Sequence, residues 1–150
     1  MKLIVCLDDN KGMMFNKRRQ SRDRVLIENI LELRKGEKLY IYGVCDIGNP
    51  LPNNIPQPAV LLVHHPEYAV KAANSRFLCA VCGHAHGGQW RIFGRGVFAP
   101  HQGIFPKYTA GVIDGRCIIS RGTGDHTPIP RVANPRELVI IHCGAKTENK

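Results

Sequence analysis

Short apolar runs recur along the chain, and turn-forming residues separate them. Runs of this length are typical of buried strands when glycine, proline or asparagine bounds them. Asp114 and Gly115 lie between two β-rich runs, which is a strong signal for a hairpin. The pattern predicts strands over residues 2–7, 38–42, 59–63, 77–81 and 137–143, and a hairpin over 111–119.

A helical spacing of apolar residues follows Ser21, which is itself a typical N-cap. This spacing predicts a helix over residues 22–34, which ends at Gly36. With its flanking strands the helix makes residues 1–42 a strand-helix-strand unit, the smallest unit of a parallel sheet. A short helix is also predicted over residues 67–74. The expected fold class is therefore α/β.

Proline and glycine divide the remainder of the chain. Residues 46–58 contain four prolines, so 43–58 is predicted to be a linker or an extended loop before a C-terminal part over 59–150. Residues 84–108 contain five glycines and several aromatic residues. We expect this stretch to be a long ordered loop that packs through its aromatic side chains, of the kind that often covers a site. The alternative is that it contains one or two strands.

Composition adds limits on location and partners. The chain has 150 residues, of which 43% are hydrophobic, and no apolar run is long enough to span a membrane. The N-terminus lacks the apolar stretch of an export signal, so we expect a cytoplasmic protein. The net charge of +9 favours anionic partners, namely phosphate esters, nucleotides, nucleic acid or a membrane surface.

A basic segment over residues 17–24 precedes the predicted helix and enters its first turn. Cations are unfavourable there, which suggests a nearby anion such as phosphate bound by Arg18, Arg19 and Arg22. The alternative is a solvated basic face that pairs with neighbouring carboxylates. On the first interpretation, this segment could bind phosphate, nucleotide or nucleic acid without catalysis.

Six cysteines lie mostly within apolar runs, and we expect buried free thiols. Cys79 and Cys82 have the CxxC spacing of zinc ligands. In a strand, however, residues three apart lie on opposite faces of the sheet. A structural zinc site is therefore the weaker interpretation.

Histidines follow two of the predicted strands. His64 and His65 come after the strand over 59–63, and His84 and His86 come after the strand over 77–81. If these strands are parallel neighbours, both pairs emerge at the same carboxyl edge, where open α/β sheets place their sites. Imidazole is a common ligand of transition metals, so the sequence predicts a metal site there.

Three further histidines and two arginines have weaker signals. We expect His101, His126 and His142 not to bind metal, because the first two lie in proline-rich or glycine-rich surroundings and the third lies in a terminal strand. Arg121 and Arg131 could approach a substrate phosphate, with surface charge as the alternative.

The motifs LLVHHP at 61–66, GHAHGGQ at 83–89 and SRGTG at 120–124, followed by PIPR and NPREL, resemble the C-terminal half of calcineurin-like metallophosphoesterases. The resemblance covers about residues 39–142. It implies an incomplete form of that family's two-sheet sandwich and metal-dependent hydrolysis of phosphomonoesters or phosphodiesters. His64, His84 and His86 would be ligands of manganese, iron or zinc, and His65 would lie at a variable position outside the ligand set.

The family's upstream motifs DxH, GDxxD and GNH are not found in the sequence. Residues 1–30 instead resemble the start of a family of small bacterial proteins. Asp8 is a further candidate ligand because it follows the first strand, although it could equally serve a turn or pair with Arg18 or Arg19. Weak hydrolysis, an inactive remnant, and a homodimer that covers an exposed sheet face are all compatible with this pattern.

Overall fold

The computed structural model describes residues 2–5, 26–32, 38–44, 51, 53–73, 76–124 and 128–142. Most of the strands are short, and the longer ones form the central sheet. The elements in chain order are β1 (Lys2–Val5), β2 (Leu26–Glu32), β3 (Lys38–Val44), β4 (Ala59–Val63), α1 (Pro66–Ala72), β5 (Cys79–Cys82), β6 (Arg91–Ile92), β7 (Arg95–Gly96), β8 (Phe98–Ala99), β9 (Gly103–Ile104), β10 (Gly111–Ile113), β11 (Cys117–Ile119) and β12 (Val139–His142).

The central sheet has six strands in the order β10-β11-β5-β4-β3-β2. The four inner strands β3, β4, β5 and β11 are parallel to one another, and the edge strands β2 and β10 are antiparallel to them. All five residues of β4 are buried, as expected for an apolar strand that is covered on both faces. The structure is thus a mixed α/β fold with a mostly parallel sheet.

Each face of this sheet has its own apolar cluster. Leu61, Phe77 and Ile119 pack on one face, where Ala69 of α1 joins them. The side chains that point to the other face, including Val60 and others of β3, β4 and β5, form the second cluster. A residue of the terminal β1–β12 ladder packs against this cluster. Helix α1 and the terminal ladder therefore cover opposite faces of the sheet.

The helix predicted over residues 22–34 is wrong for its central part, where Leu26–Glu32 is strand β2. This strand pairs antiparallel with β3 from Leu26 opposite Val44 to Glu32 opposite Lys38. The pairing satisfies the backbone donors and acceptors along the open edge of β3, which a helix would leave without partners. The segment also contains β-branched residues, which favour strands. The strand-helix-strand unit is therefore not formed as predicted.

Other elements agree with the sequence prediction. Strands overlap the predicted ranges 2–7, 38–42, 59–63, 77–81 and 137–143. Helix α1 overlaps the helix predicted over 67–74. The predicted hairpin joins β10 to β11, and Asp114 and Gly115 both have positive φ, of 50° and 65°. Two positive φ angles are what a tight hairpin turn needs.

The segment over residues 84–108 differs from the expected aromatic-packed loop. It contains a 3-10 turn at His86–Gly88 and two small hairpins, β6–β7 and β8–β9. Phe93 is fully exposed and Phe105 is 70% exposed, so these two residues do not pack, whereas Tyr108 packs against the core cluster that contains Phe77. Phe93 and Phe105 have positive φ, which marks tight turns. In the described ranges, no helix is long and apolar enough to cross a membrane.

Candidate metal centre

Three parallel strands end side by side at one edge of the sheet. Val63 of β4 and Ile119 of β11 both pair with Cys82 of β5. Beyond these ends the chain continues into His64 and His65 after β4, His84 after β5, and Arg121 after β11. The prediction that the two histidine-bearing strands are parallel neighbours is confirmed.

Three of these histidines converge. His64, His65 and His84 each offer a ring nitrogen, and these three nitrogens lie within 4.8 Å of one another. The ring centres of His64 and His84 are 4.3 Å apart, those of His65 and His84 are 4.4 Å apart, and those of His64 and His65 are 4.9 Å apart. All three are half-buried, so a ligand can reach them from solvent. We refer to them as the histidine trio.

The local backbone explains how two consecutive histidines join the trio. His65 has extended φ and ψ angles of −89° and 123°, and Pro66 begins α1. A residue before proline is biased toward this extended conformation, and proline is well suited to the first helical position. The backbone carbonyl of His65 accepts the first helical hydrogen bond from Ala69, at 3.0 Å. The turn from β4 into α1 thus fixes the backbone on which His65 is carried.

His84 is positioned by a tight turn. Its φ is 65°, and the Ala85 amide donates to the Gly83 carbonyl at 2.7 Å. Histidine adopts this left-handed region more often than most residues, but the conformation still stores strain. Strain of this kind is concentrated at functional sites. The strained backbone therefore adds to the argument from sequence that His84 is a ligand.

Two glycines let the chain after His84 pack closely. A Cβ atom on Gly87 would lie 2.2 Å from Asn134 Oδ1, and one on Gly88 would lie 2.3 Å from Gly96 Cα. Asn134 is almost fully buried, and its side-chain amide donates to the carbonyls of His86 and Gln89 at 2.6 and 3.1 Å. The glycines of the GHAHGGQ motif therefore have a packing role, with Asn134 as the clamp of this turn.

The predicted ligands have different outcomes. His64 and His84 are brought together, whereas His86 is not one of the histidines whose nitrogens lie within 4.8 Å of one another. A ligand role for His86 therefore stays a prediction. Asp8, the anion-binding candidates Arg18, Arg19 and Arg22, and also His126, lie outside the described residues.

The sequence predicts that His65 and His101 are not metal ligands, but the structure brings both of them next to the other histidines. His65 is a member of the trio, and its adjacency to His64 at a strand end was the available signal. His101, in the turn between β8 and β9, has its ring centre 5.0 Å from that of His65 and 5.3 Å from that of His84. The β8–β9 hairpin thus brings His101 next to the site, and the expectation that His101 does not bind metal stays a prediction.

Arg121 takes part in an ion pair at the same edge. Its guanidinium donates to Glu137 Oε1 at 3.1 Å, and its backbone amide donates to Glu137 Oε2 at 2.9 Å. Burial alone would raise the pKa of the Glu137 carboxyl, but these hydrogen bonds outweigh burial and hold that pKa below its ordinary value. Arg131 donates to the carbonyls of Arg121 and Gly124, at 2.8 and 2.7 Å. Both arginines thus help to shape the loop after β11.

The cysteines behave as buried thiols where the structure describes them. Cys79 is half-buried, while Cys82 and Cys117 are buried with their Sγ atoms 3.9 Å apart. The hydrogen bond shared with Cys117, and then burial, raise the pKa of the Cys82 thiol far above its ordinary value. Cys79 and Cys82 pack in clusters on opposite faces of the sheet, as strand alternation predicts. These two cysteines therefore do not converge as zinc ligands.

The donor set fits a transition-metal ion. Imidazole nitrogens suit zinc, copper, iron and nickel, whereas magnesium and calcium prefer oxygen ligands. Three protein ligands are the usual number at a catalytic zinc, where a further position stays open. Arg121 lies at the same edge, with its charge paired with that of Glu137.

Comparisons of this chain with protein-family models, with curated proteins and with solved structures find no match. The resemblance to calcineurin-like metallophosphoesterases therefore rests on the sequence motifs and stays a prediction.

Proposed function

We propose that this protein binds a divalent transition-metal ion through the histidine trio and hydrolyses phosphomonoesters or phosphodiesters there. The observation that carries the proposal is the convergence of His64, His65 and His84 within 4.8 Å at the carboxyl edge of a parallel sheet. Such an edge is where α/β sheets commonly place their binding sites. The resemblance in the LLVHHP and GHAHGGQ motifs points to the same edge.

The ion would supply Lewis-acid chemistry and a water-derived nucleophile at neutral pH. The chain's own contribution is to hold three imidazoles in one place on short, well-anchored turns. Pro66 fixes the turn that carries His65, and Gly83 begins the turn that carries His84. Partial exposure of the trio leaves room for a substrate to enter.

Charge supports a phosphoester as the substrate class. No aspartate or glutamate occurs between residues 68 and 113, whereas five lysines and arginines do. Burial lowers the pKa of the Arg91 guanidinium, the nearby charge of Arg121 adds to this effect, and the Glu137 carboxylate opposes it, so two cationic groups and one carboxylate lie close together. A surface with this excess of positive charge attracts anions such as phosphate esters.

Hydrolysis of bis(p-nitrophenyl) phosphate and p-nitrophenyl phosphate, with manganese or zinc added, tests the proposal. His84→Asn removes the imidazole and keeps a residue that tolerates positive φ. We expect metal-dependent turnover in the wild type, and a loss of about tenfold or more in this variant, as for other disrupted metal shells. His142→Ala is the matched control, because His142 is exposed on β12.

Two results would count against the proposal, and they differ. A wild type that binds metal but hydrolyses neither ester would remove the hydrolase and keep the metal site. A wild type that binds no metal would remove both.

A further inference from the structure

We propose that His101 is a fourth, exchangeable histidine ligand of this centre, so that ion binding fastens the β8–β9 hairpin to the carboxyl edge of the sheet. The proposal rests on the proposed metal site and adds a residue and a regulatory role to it. His101 comes from a different part of the chain from the trio, and it follows strand β8 rather than a strand of the central sheet.

Ring separations support a shared ion. Imidazole nitrogens bind zinc at about 2.0–2.1 Å, so ring centres of two ligands on one ion stand roughly 4.5 Å apart at right angles and roughly 5.2 Å apart in a tetrahedron. The ring centre of His101 is 5.0 Å from that of His65 and 5.3 Å from that of His84. Within the trio the separations are 4.3–4.9 Å. These ring separations lie near the range for ligands of one ion, but His101 is not in the group whose nitrogens lie within 4.8 Å, so its ring must turn toward the trio to bind.

The backbone holds His101 at this position under strain. Its φ is 62°, in the left-handed region. Gly103 in the same turn also has a positive φ, of 75°, but glycine adopts such an angle without penalty. A left-handed conformation is unfavourable for a non-glycine residue and persists only where the surroundings enforce it. His84, its stacking partner at an interplanar angle of 28°, has the same feature. Two histidines with left-handed backbone thus lie side by side at this edge.

The hairpin around His101 is anchored on both sides. Ala99 is fully buried, and the Gln102 side chain bonds both backbone groups of Tyr108, accepting from its amide and donating to its carbonyl at 2.8 Å each. His101 itself is exposed, so a small rotation of its side chain toward the trio costs little packing. These contacts hold the hairpin near the sheet edge but leave His101 at its tip exposed, so binding of an ion through His101 would restrict the hairpin further.

The position of His101 gives it a regulatory role. On a four-coordinate ion the trio leaves one position, and His101 would fill it in the absence of substrate. An anionic substrate must then displace His101. Loss of this imidazole is expected to weaken zinc binding and to strengthen the binding of inorganic phosphate to the zinc-loaded protein.

The test compares wild type, His101→Asn and His142→Asn, because asparagine tolerates the positive φ at position 101. Zinc affinity is measured by competition with a chelating dye. We expect about a tenfold or larger loss for His101→Asn, as for removal of a supporting ligand, and no change for His142→Asn. Titration of inorganic phosphate into the zinc-loaded proteins should show tighter binding to His101→Asn than to wild type.

A second readout follows the hairpin itself. Arg95 and Lys107 are exposed trypsin sites on either side of β8–β9. Zinc should slow cleavage at both sites in the wild type and in His142→Asn, but not in His101→Asn. Wild-type zinc affinity and protection in His101→Asn would overturn the proposal and leave the trio intact. A wild type without zinc affinity would remove the trio and the proposal together.

Discussion

The inner strands of the sheet and the segment over residues 84–108 are built in different ways. Strand β4 is an unbroken apolar run, and every residue of it is buried. The segment has short two-residue strands, glycines in close contact and exposed aromatic residues such as Phe93. Burial of apolar area determines the first region, whereas backbone conformation and specific hydrogen bonds determine the second.

This difference separates stability from function. The sheet provides three strand ends in register, and its side chains need only be apolar and of suitable volume. The segment carries His84 and His101 at positive φ, and its geometry depends on single atoms such as Asn134 Oδ1. Substitutions in the sheet should change the free energy of unfolding most, and substitutions in the segment should act mainly on the site.

The largest expected effect is in the sheet. Leu61→Ala removes a fully buried side chain from the cluster that contains Phe77 and Ile119. We expect a loss of about 3 kcal/mol in the free energy of unfolding, from lost burial and the resulting cavity. Ile104→Ala, at a position that is 73% exposed, is the control and should change stability by less than about 0.5 kcal/mol. Urea denaturation measures both, and equal losses would contradict the comparison.

The next effect lies in the segment. Gly87→Ala places a Cβ atom 2.2 Å from Asn134 Oδ1 at a φ of +68°. Gly94→Ala has a similar φ of +77° but no atom within 4 Å, so it isolates the backbone penalty. We expect Gly94→Ala to cost about 1 kcal/mol, and Gly87→Ala to cost about 1 kcal/mol more because the buried Asn134 side chain must shift. If the two variants were equally stable in thermal denaturation, the close approach would have no energetic role.

A smaller effect concerns the ion pair at the edge. Glu137→Gln keeps the shape of the side chain but removes the charge that binds Arg121, and we expect a loss of about 1 kcal/mol at neutral pH. Because the pKa of Glu137 is lowered in the folded state, its contribution is fully present above the unfolded pKa of about 4.3. The contribution disappears as the pH falls through the folded pKa.

Denaturation of wild type and Glu137→Gln across this pH range checks the sign. The two stabilities should converge at acidic pH and separate near neutrality. A difference that grew as the pH fell would mean that Glu137 is stabilised in its protonated form, which would contradict the ion pair.

Much of the sheet could be predicted because each strand is a local apolar run. Residues 59–63 and the Asp114 turn carry their own signals. The segment that forms β2 was predicted to be a helix because its apolar residues also match a helical repeat. The deciding factor, the open edge of β3, lies outside that segment, so a local pattern could not reveal it.

The site was predictable in part for the same reason. Histidines after two strands were visible in the sequence, and their convergence required only that the strands be parallel neighbours. His101 could not be found this way, since its approach depends on two hairpins and on the Gln102–Tyr108 hydrogen bonds. The role of Asn134 as a clamp depends likewise on a contact that is distant in sequence.

Zinc content per chain, measured by equilibrium dialysis and elemental analysis, tests the central claim most directly. Wild type and His142→Ala should each retain about one equivalent, as expected for one set of converging histidines. The double variant His64→Ala/His84→Asn should retain close to none, while its urea midpoint shows that it still folds. A metal-free wild type, or a folded double variant with undiminished zinc, would contradict the account.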